Sequence, residues 1–314
     1  MKKTAYLILV AIVSAAMVSC EHKNLCYSDT MDVEVVFNWE MAPDADPKSM
    51  SLYLFPENGG SALRFEFSDN RGGLIRVPAG RYDALCLNSD TEAIEYRNRE
   101  QQQTFEVTTR STSLLSDPAL AGLNSTSIPR PAGTESERIV LAPDMLWCDH
   151  LEQIILRQTQ DRQVITFYPD LAVCTYTVEI RNAKNLEHVL GLNGSLASMA
   201  GGVYVARSET TDEPVTIPFE LSASTDKETL TGRLQTFGTR PSRQPHKMIV
   251  YAMLSDRSKW YYTYDVTDQI RMAPDPRNVH IIVDSLPLPK PIANGGGFHP
   301  SVDDWDNINV NIDM

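Results

Sequence analysis

Asp32-Val33-Glu34-Val35-Val36-Phe37-Asn38-Trp39 sets the character of the chain. Val33, Val35, Phe37 and Trp39 fall on one side of an extended backbone. Asp32, Glu34 and Asn38 fall on the other. A period of two marks a half-buried β-strand. The same pattern recurs outward from this stretch, at Met50, Leu52 and Leu54, at Leu63, Phe65 and Phe67, and through Tyr82 to Asn88 and Thr104 to Thr109. Between these segments lie turn-forming clusters such as Pro43-Asp44 and Pro78-Ala79-Gly80. Ile139 to Leu146 reads as a further strand. Leu151 to Leu156 with Gln163 to Tyr168 reads as a hairpin opening a second unit.

In the second half, Ala172, Cys174, Tyr176, Val178 and Ile180 share one face. Val215, Ile217, Phe219 and Leu221 share another, with Pro218 pointing to an edge or a bulge. Leu230 to Phe237, Met248 to Leu254, Trp260 to Val266 and Val279 to Val283 are strands. Leu196 to Met199 reads as a short helical turn, and Thr267 as the N-cap of one turn through Arg271. Ser111 to Glu137, rich in Ser, Thr, Pro, Gly and Ala, reads as a surface insertion. Ile308, Val310 and Ile312 alternate with asparagines, so the chain closes on a strand. Many short strands without a long amphipathic helix predict an all-β protein of two β-sandwiches in series, over residues 31–148 and 149–314.

The N-terminus has a separate task. Lys2 and Lys3 precede an apolar run from Ala5 to Val18, and Met17-Val18-Ser19 leads into Cys20. Charge, apolar length and small-residue end are those of a secretory signal. The run is shorter than the roughly 20 residues of a membrane-spanning helix. Cys20 stands where a bacterial lipoprotein carries its lipobox cysteine. That resemblance implies cleavage of residues 1–19, acylation of Cys20 and a tether over residues 20–30.

Composition limits the chemistry. Hydrophobic residues make up 42% of the 314, enough for a sizeable core. The formal charge is −13, and loss of Lys2 and Lys3 with the signal leaves −15, which disfavours nucleic acid as a partner. Cys26, Cys86, Cys148 and Cys174 remain after Cys20, and their spacing leaves three pairings open. No cysteine or histidine spacing fits a metal site, and Asp303, Asp304 and Asp306 lack the order of a calcium loop. His280 reads as a structural residue of an apolar strand. Cys148-Asp149-His150 places neighbours on opposite strand faces, so they form no dyad with each other. Neither a catalytic residue nor a cofactor is expected.

Four stretches together carry a family resemblance. Cys20-Glu21-His22-Lys23-Asn24-Leu25-Cys26-Tyr27 resembles the mature start of a group of uncharacterised Bacteroidales lipoproteins. Leu196-Ala197-Ser198-Met199-Ala200-Gly201-Gly202 and Asp265-Val266-Thr267-Asp268-Gln269-Ile270 are similar to stretches of the same group. Val302-Asp303-Asp304-Trp305 with residues 307–312 looks like the closing strand of fimbrillin-type proteins. The group is related to the fimbrillin-A-associated anchor proteins. The resemblance implies transthyretin-like sandwiches, lipid attachment to the outer membrane and a place in a fimbria beside other surface subunits, with the cell surface and the periplasmic face both open. Ile308, Val310 and Ile312 become a candidate donor strand, set against closure of the protein's own second sandwich. Asp29-Thr30-Met31 and Asp284-Ser285-Leu286 resemble a short O-glycosylation signal of Bacteroides, which marks Thr30 and Ser285. The alternative function is a surface lipoprotein that binds glycan or host protein through exposed loops.

Overall fold

The computed structural model describes residues 30–121, 128–159, 161–291 and 305–309. In chain order the first strands are β1 (Thr30–Phe37), β2 (Met50–Pro56), β3 (Leu63–Phe67), β4 (Gly72–Pro78), β5 (Gly80–Asn88), β6 (Ile94–Arg97) and β7 (Glu106–Thr109). The single turn α1 (Pro118–Ala121) and β8 (Arg138–Ile139) precede β9 (Trp147–Leu156), β10 (Gln163–Phe167), β11 (Asp170–Leu171) and β12 (Cys174–Ala183). Then come β13 (Val189–Ala200), β14 (Gly202–Tyr204), β15 (Glu209–Thr210), β16 (Pro214–Ala223), β17 (Leu230–Thr236), β18 (Lys247–Leu254) and β19 (Lys259–Asp265). The short helix α2 (Thr267–Arg271), β20 (Asn278–Leu286) and β21 (Asp306–Asn309) end the described chain.

The protein is all-β and forms two sandwiches. In the first, the sheet β10-β1-β4 packs on the sheet β11-β9-β5-β2-β3. Val33, Val35 and Phe37 from β1 meet Leu52, Leu54, Ala84, Cys86 and Phe167 in one core. In the second, a nine-stranded sheet folds over on itself in the order β20-β12-β17-β16-β13-β18-β19-β21, with β8 against β16. Tyr176, Ile217, Val250, Tyr262 and Ile281 lie in its core. Pro218 falls between Thr216, where pairing with β8 ends, and Leu221, where pairing with β17 begins, so its missing N–H costs no ladder bond.

Several expectations are corrected. The first sandwich does not end at residue 148: β9 pairs with β5, and β10 runs parallel to β1 from Val33↔Gln163 to Phe37↔Phe167. Residues 149–171 therefore complete the first unit, because β1 needs a partner on its second edge and finds it far along the chain. Residues 196–199 are strand: β13 spans them, with a bulge between Leu196 and Met199. Residues 140–146 carry no strand, and β9 starts only at Trp147.

The described parts of the stretch expected as a surface insertion, residues 111–121 and 128–137, form a strap. Leu114, Leu115 and Leu120 are buried against Ile249 and Tyr251 on the outer face of the second sandwich. Asp117 accepts the N–H of Leu192 at 3.0 Å, and buried Asn193 accepts the N–H and hydroxyl of Ser116 at 3.1 and 2.8 Å. A sheet covered on both faces follows from that arrangement.

Candidate subunit-docking site

An all-β protein meets other chains at its strand edges, so the candidate site is built from those edges and from the first described strand. β1 is the central strand of its sheet, antiparallel to β4 from Thr30↔Pro78 to Val36↔Gly72 and parallel to β10 on the other side. Val33 and Val35 are fully buried and Phe37 nearly so. Phe37 meets Phe67 edge-on, with centroids 5.3 Å apart. Gly72, at φ +102°, lets β4 close on β1, since a Cβ there would stand 2.1 Å from the Val35 carbonyl oxygen. Asp32 receives Arg76 at 3.0 Å, and the Trp39 indole donates to the Asn70 carbonyl at 2.7 Å.

The direction of β1 matters mechanically. Thr30 starts the strand, and its far end lies beside Phe167, from which Asp170–Leu171 lead into the second sandwich. Thr30 and Phe37 are thus about 25 Å apart, a strand length.

The two units are joined by a ladder and an ionic cluster. β7 pairs with β14, Gly202↔Thr108 through Tyr204↔Glu106, within the sheet β15-β14-β7-β6. Beneath it Tyr53, Phe55, Leu85, Phe105, Val203 and Phe237 share a core. Glu213 receives Arg97 at 2.8 Å and Arg138 at 3.0 Å, and Arg138 also donates to the Thr109 carbonyl at 2.7 Å. Burial alone would raise the Glu213 carboxyl, but the two guanidiniums overcome it and hold it below its ordinary value. Burial dominates at Glu106, whose carboxyl is raised although Arg97 opposes.

The edges differ. β4 and β10 are the outer strands of the three-stranded sheet, and each exposes an apolar side chain beside Glu34: Leu74 at 57% and Val164 at 55%. β19 is covered by β21, which runs parallel to it with Tyr262↔Ile308. Trp305, just before β21, packs on Tyr251 with centroids 5.4 Å apart. β20 is met by a side chain of α2: the Gln269 amide donates to the Ile282 carbonyl at 2.8 Å and accepts the Ile282 N–H at 2.7 Å.

The residues marked by sequence fall as follows. Cys20, Cys26, Val310 and Ile312 lie outside the described residues. Thr30 is exposed at the start of β1, whereas Ser285 is half-buried at φ +128° with its carbonyl accepting the Tyr264 hydroxyl at 2.9 Å. Cys86 faces the first core, Cys148 borders the core between the units and Cys174 borders the second core, and all three are free thiols. Burial pushes the Cys148 thiol up to about 12.

His280, read from the sequence as a structural residue and not a base, is exposed on β20. Its ring lies 2.9 Å from the Thr177 hydroxyl and 3.2 Å from the Glu179 carboxylate. Thr267 is the first helical residue of α2, and its hydroxyl accepts the His246 N–H at 2.8 Å. Among the described residues no three His, Cys, Asp or Glu side chains gather as metal ligands would. Sequence reasoning does not reach Gln269 or Glu137 as site residues. Both belong to segments without strand periodicity, and only their side-chain bonds to distant backbone reveal them.

Comparison with known proteins places this geometry. Over 99% of its length the chain is 23% identical to a Bacteroides ovatus protein named "Putative fimbrium anchoring subunit Fim4B", of which it covers 99%. Its fold matches a solved structure described as "a putative adhesin" from Bacteroides ovatus, at 22% identity and TM-score 0.59, over 82% of this chain and 94% of the other. It also matches Bacteroides thetaiotaomicron proteins described as "putative polysaccharide binding proteins (DUF1812)", at 11% identity and TM-score 0.51, over 80% of this chain and 90% of the other. With residues 19–220 matching its model, the chain belongs to the family described as Domain of unknown function (DUF5119).

Proposed function

We propose that this protein is a lipid-anchored anchor or accessory subunit of a fimbria, held at the outer membrane through Cys20 and joined to neighbouring subunits by strand pairing. The observation that carries the reading is the place of β1. It follows the tether directly and lies between β4 and β10 in its own sandwich, bonded on both sides. Tension on the tether is then borne in shear by two ladders at once, as an anchor requires. The full-length likeness to a protein named as a fimbrium anchoring subunit supports the same reading. Backbone bonds at an open edge would supply affinity for a neighbour, and side-chain pockets its specificity.

The experiment is Cys20→Ser in the native host. Labelled palmitate enters the wild-type protein and not the variant, and a fimbrial subunit crosslinks to the wild-type protein in intact cells. Fimbriae of the variant strain are shed into the medium. Equal labelling of both proteins would remove the lipid anchor. A glycan-array hit without any crosslinked subunit would replace the fimbrial role with glycan binding.

A further inference from the structure

Among the described residues β20 is the outermost strand on its side of the second sandwich, with only β12 as a strand neighbour. The Arg277 carbonyl accepts the Thr175 N–H at 2.7 Å, so residues 277, 279, 281 and 283 turn their main-chain groups toward β12. His280, Ile282 and Asp284 turn theirs outward. Such an edge is a template for another chain. Ile282 is at its middle, and both of its main-chain groups are already taken by the Gln269 amide. A glutamine side chain has one carbonyl and one NH₂, so it matches one residue of an antiparallel partner at a hydrogen-bonded position. α2 is fixed in that place by Ile270 and Val266, both buried in the core.

We propose that α2 and Gln269 guard the β20 edge against a second copy of this chain. The sequence of the edge names that occupant. If two β20 strands pair antiparallel about Ile282, His280 of each stands directly opposite Asp284 of the other, which is a favourable cross-strand pair. Like charges meet nowhere in that register. With Ile282 occupied, the outward groups on either side are too few to hold a strand. The guard is independent of the fimbrial role, since it concerns self-association alone.

The test uses the complete chain carrying Cys20→Ser, with and without Gln269→Ala. In Gln269→Ala, at a dilution that keeps it monomeric, amide exchange at Ile282 rises at least tenfold while Ile281, bonded toward β12, keeps its protection. Sedimentation shows a dimer at concentrations where the parent is monomeric. Adding His280→Cys with Asp284→Cys gives an oxidised dimer linked between these two positions in the Gln269→Ala background and none in the parent. A Gln269→Ala protein that exposes Ile282 yet stays monomeric, or one linked at other positions, overturns the proposal. So does unchanged exchange at Ile282. If Gln269→Ala does not fold, Gln269→Leu, which keeps the bulk and loses both donor and acceptor, takes its place in the same crosslink. A dimer linked between the two positions then supports the guard, and no dimer, or one linked elsewhere, overturns it.

Discussion

Glu137 of the strap grips Ser198 of the β13 bulge: its carboxylate accepts the Ser198 N–H at 3.0 Å and the Ser198 hydroxyl at 2.9 Å. Ser198 sits at φ +64°, a conformation that costs any residue with a Cβ and persists only where the surroundings impose it. The same carboxylate accepts the Thr216 hydroxyl at 2.7 Å, which ties β16 to the bulge. All three residues are buried.

Glu137→Ala therefore leaves three buried donors without an acceptor. At about 1–3 kcal/mol for each unsatisfied group, less what relaxation recovers, a loss of about 3 kcal/mol is expected. Glu137→Gln keeps one acceptor and loses less. Denaturant unfolding followed by tryptophan fluorescence measures both. Equal stability of Glu137→Ala and the parent would mean that the strap does not hold the bulge.

The joint between the units predicts a change in cooperativity. A Cβ on Gly202 would lie 2.5 Å from the Val107 carbonyl oxygen, so Gly202→Val must open the β7–β14 ladder. The expected cost is about 2–3 kcal/mol. Calorimetry should show one transition in the parent and two in the variant, because each sandwich keeps its own core. A single transition that only moves down in temperature would place the coupling elsewhere.

How far the sequence carries the fold depends on which faces a strand buries. β1 and β16 bury one face along most of their length, and their alternation is plain in Val33, Val35 and Phe37 and in Val215, Ile217 and Phe219. β13 buries both, with the core on one side and the strap on the other, so Gly194, Ser195, Ala197 and Ser198 show no period and suggest a helical turn. The strap escapes for the complementary reason. Its order comes from single side chains such as Asp117 and Glu137 reaching backbone amides of β13, and nothing local encodes that. The unit boundary is misplaced because β10 pairs with β1, which lies far from it in the chain. The edges of the candidate site share that difficulty, since an edge is defined by where pairing stops.

Acid should weaken the second unit through His246. Its ring is buried, and burial, with Arg271 and Arg240 adding to it, lowers its pKa to about 4. Among the described residues its Nδ1 has no hydrogen-bond partner. The unfolded chain takes up the proton near the ordinary histidine value of about 6.5, before the folded chain does. Between those two values the unfolded state binds more protons, so stability falls as pH falls, by about 3 kcal/mol across the window. Above about pH 6.5 the term vanishes. His246→Phe has no proton to bind and should lose that part of the slope. Urea unfolding of parent and variant at pH 7 and at pH 4.5 compares them, and parallel losses in both would mean that His246 does not titrate in this way.

The N-terminal strand should stay joined to Cys20. No arginine occurs between Glu21 and Leu63, and Arg64 is the first after the signal. The loop after β1, residues 41–48, carries Lys48 as its one basic residue, exposed and paired with Asp46. An arginine-specific protease thus finds no site between Cys20 and the end of β1. Val33, Val35 and Phe37 each contribute about 1.5–3 kcal/mol of apolar burial, and two ladders add to them. A cut in the loop would therefore nick the chain without freeing the strand. Lys48→Arg makes this measurable: after digestion by an arginine-specific protease, β1 should remain with the folded body in native buffer and leave only in denaturant. In cells, the protein extracted from fimbriated envelopes should begin at Cys20. An N-terminus at residues 41–49 with Cys20 gone would mean that the strand is removed, leaving Ile75 and Ile165 to face an empty position between β4 and β10 that a neighbour's strand could fill.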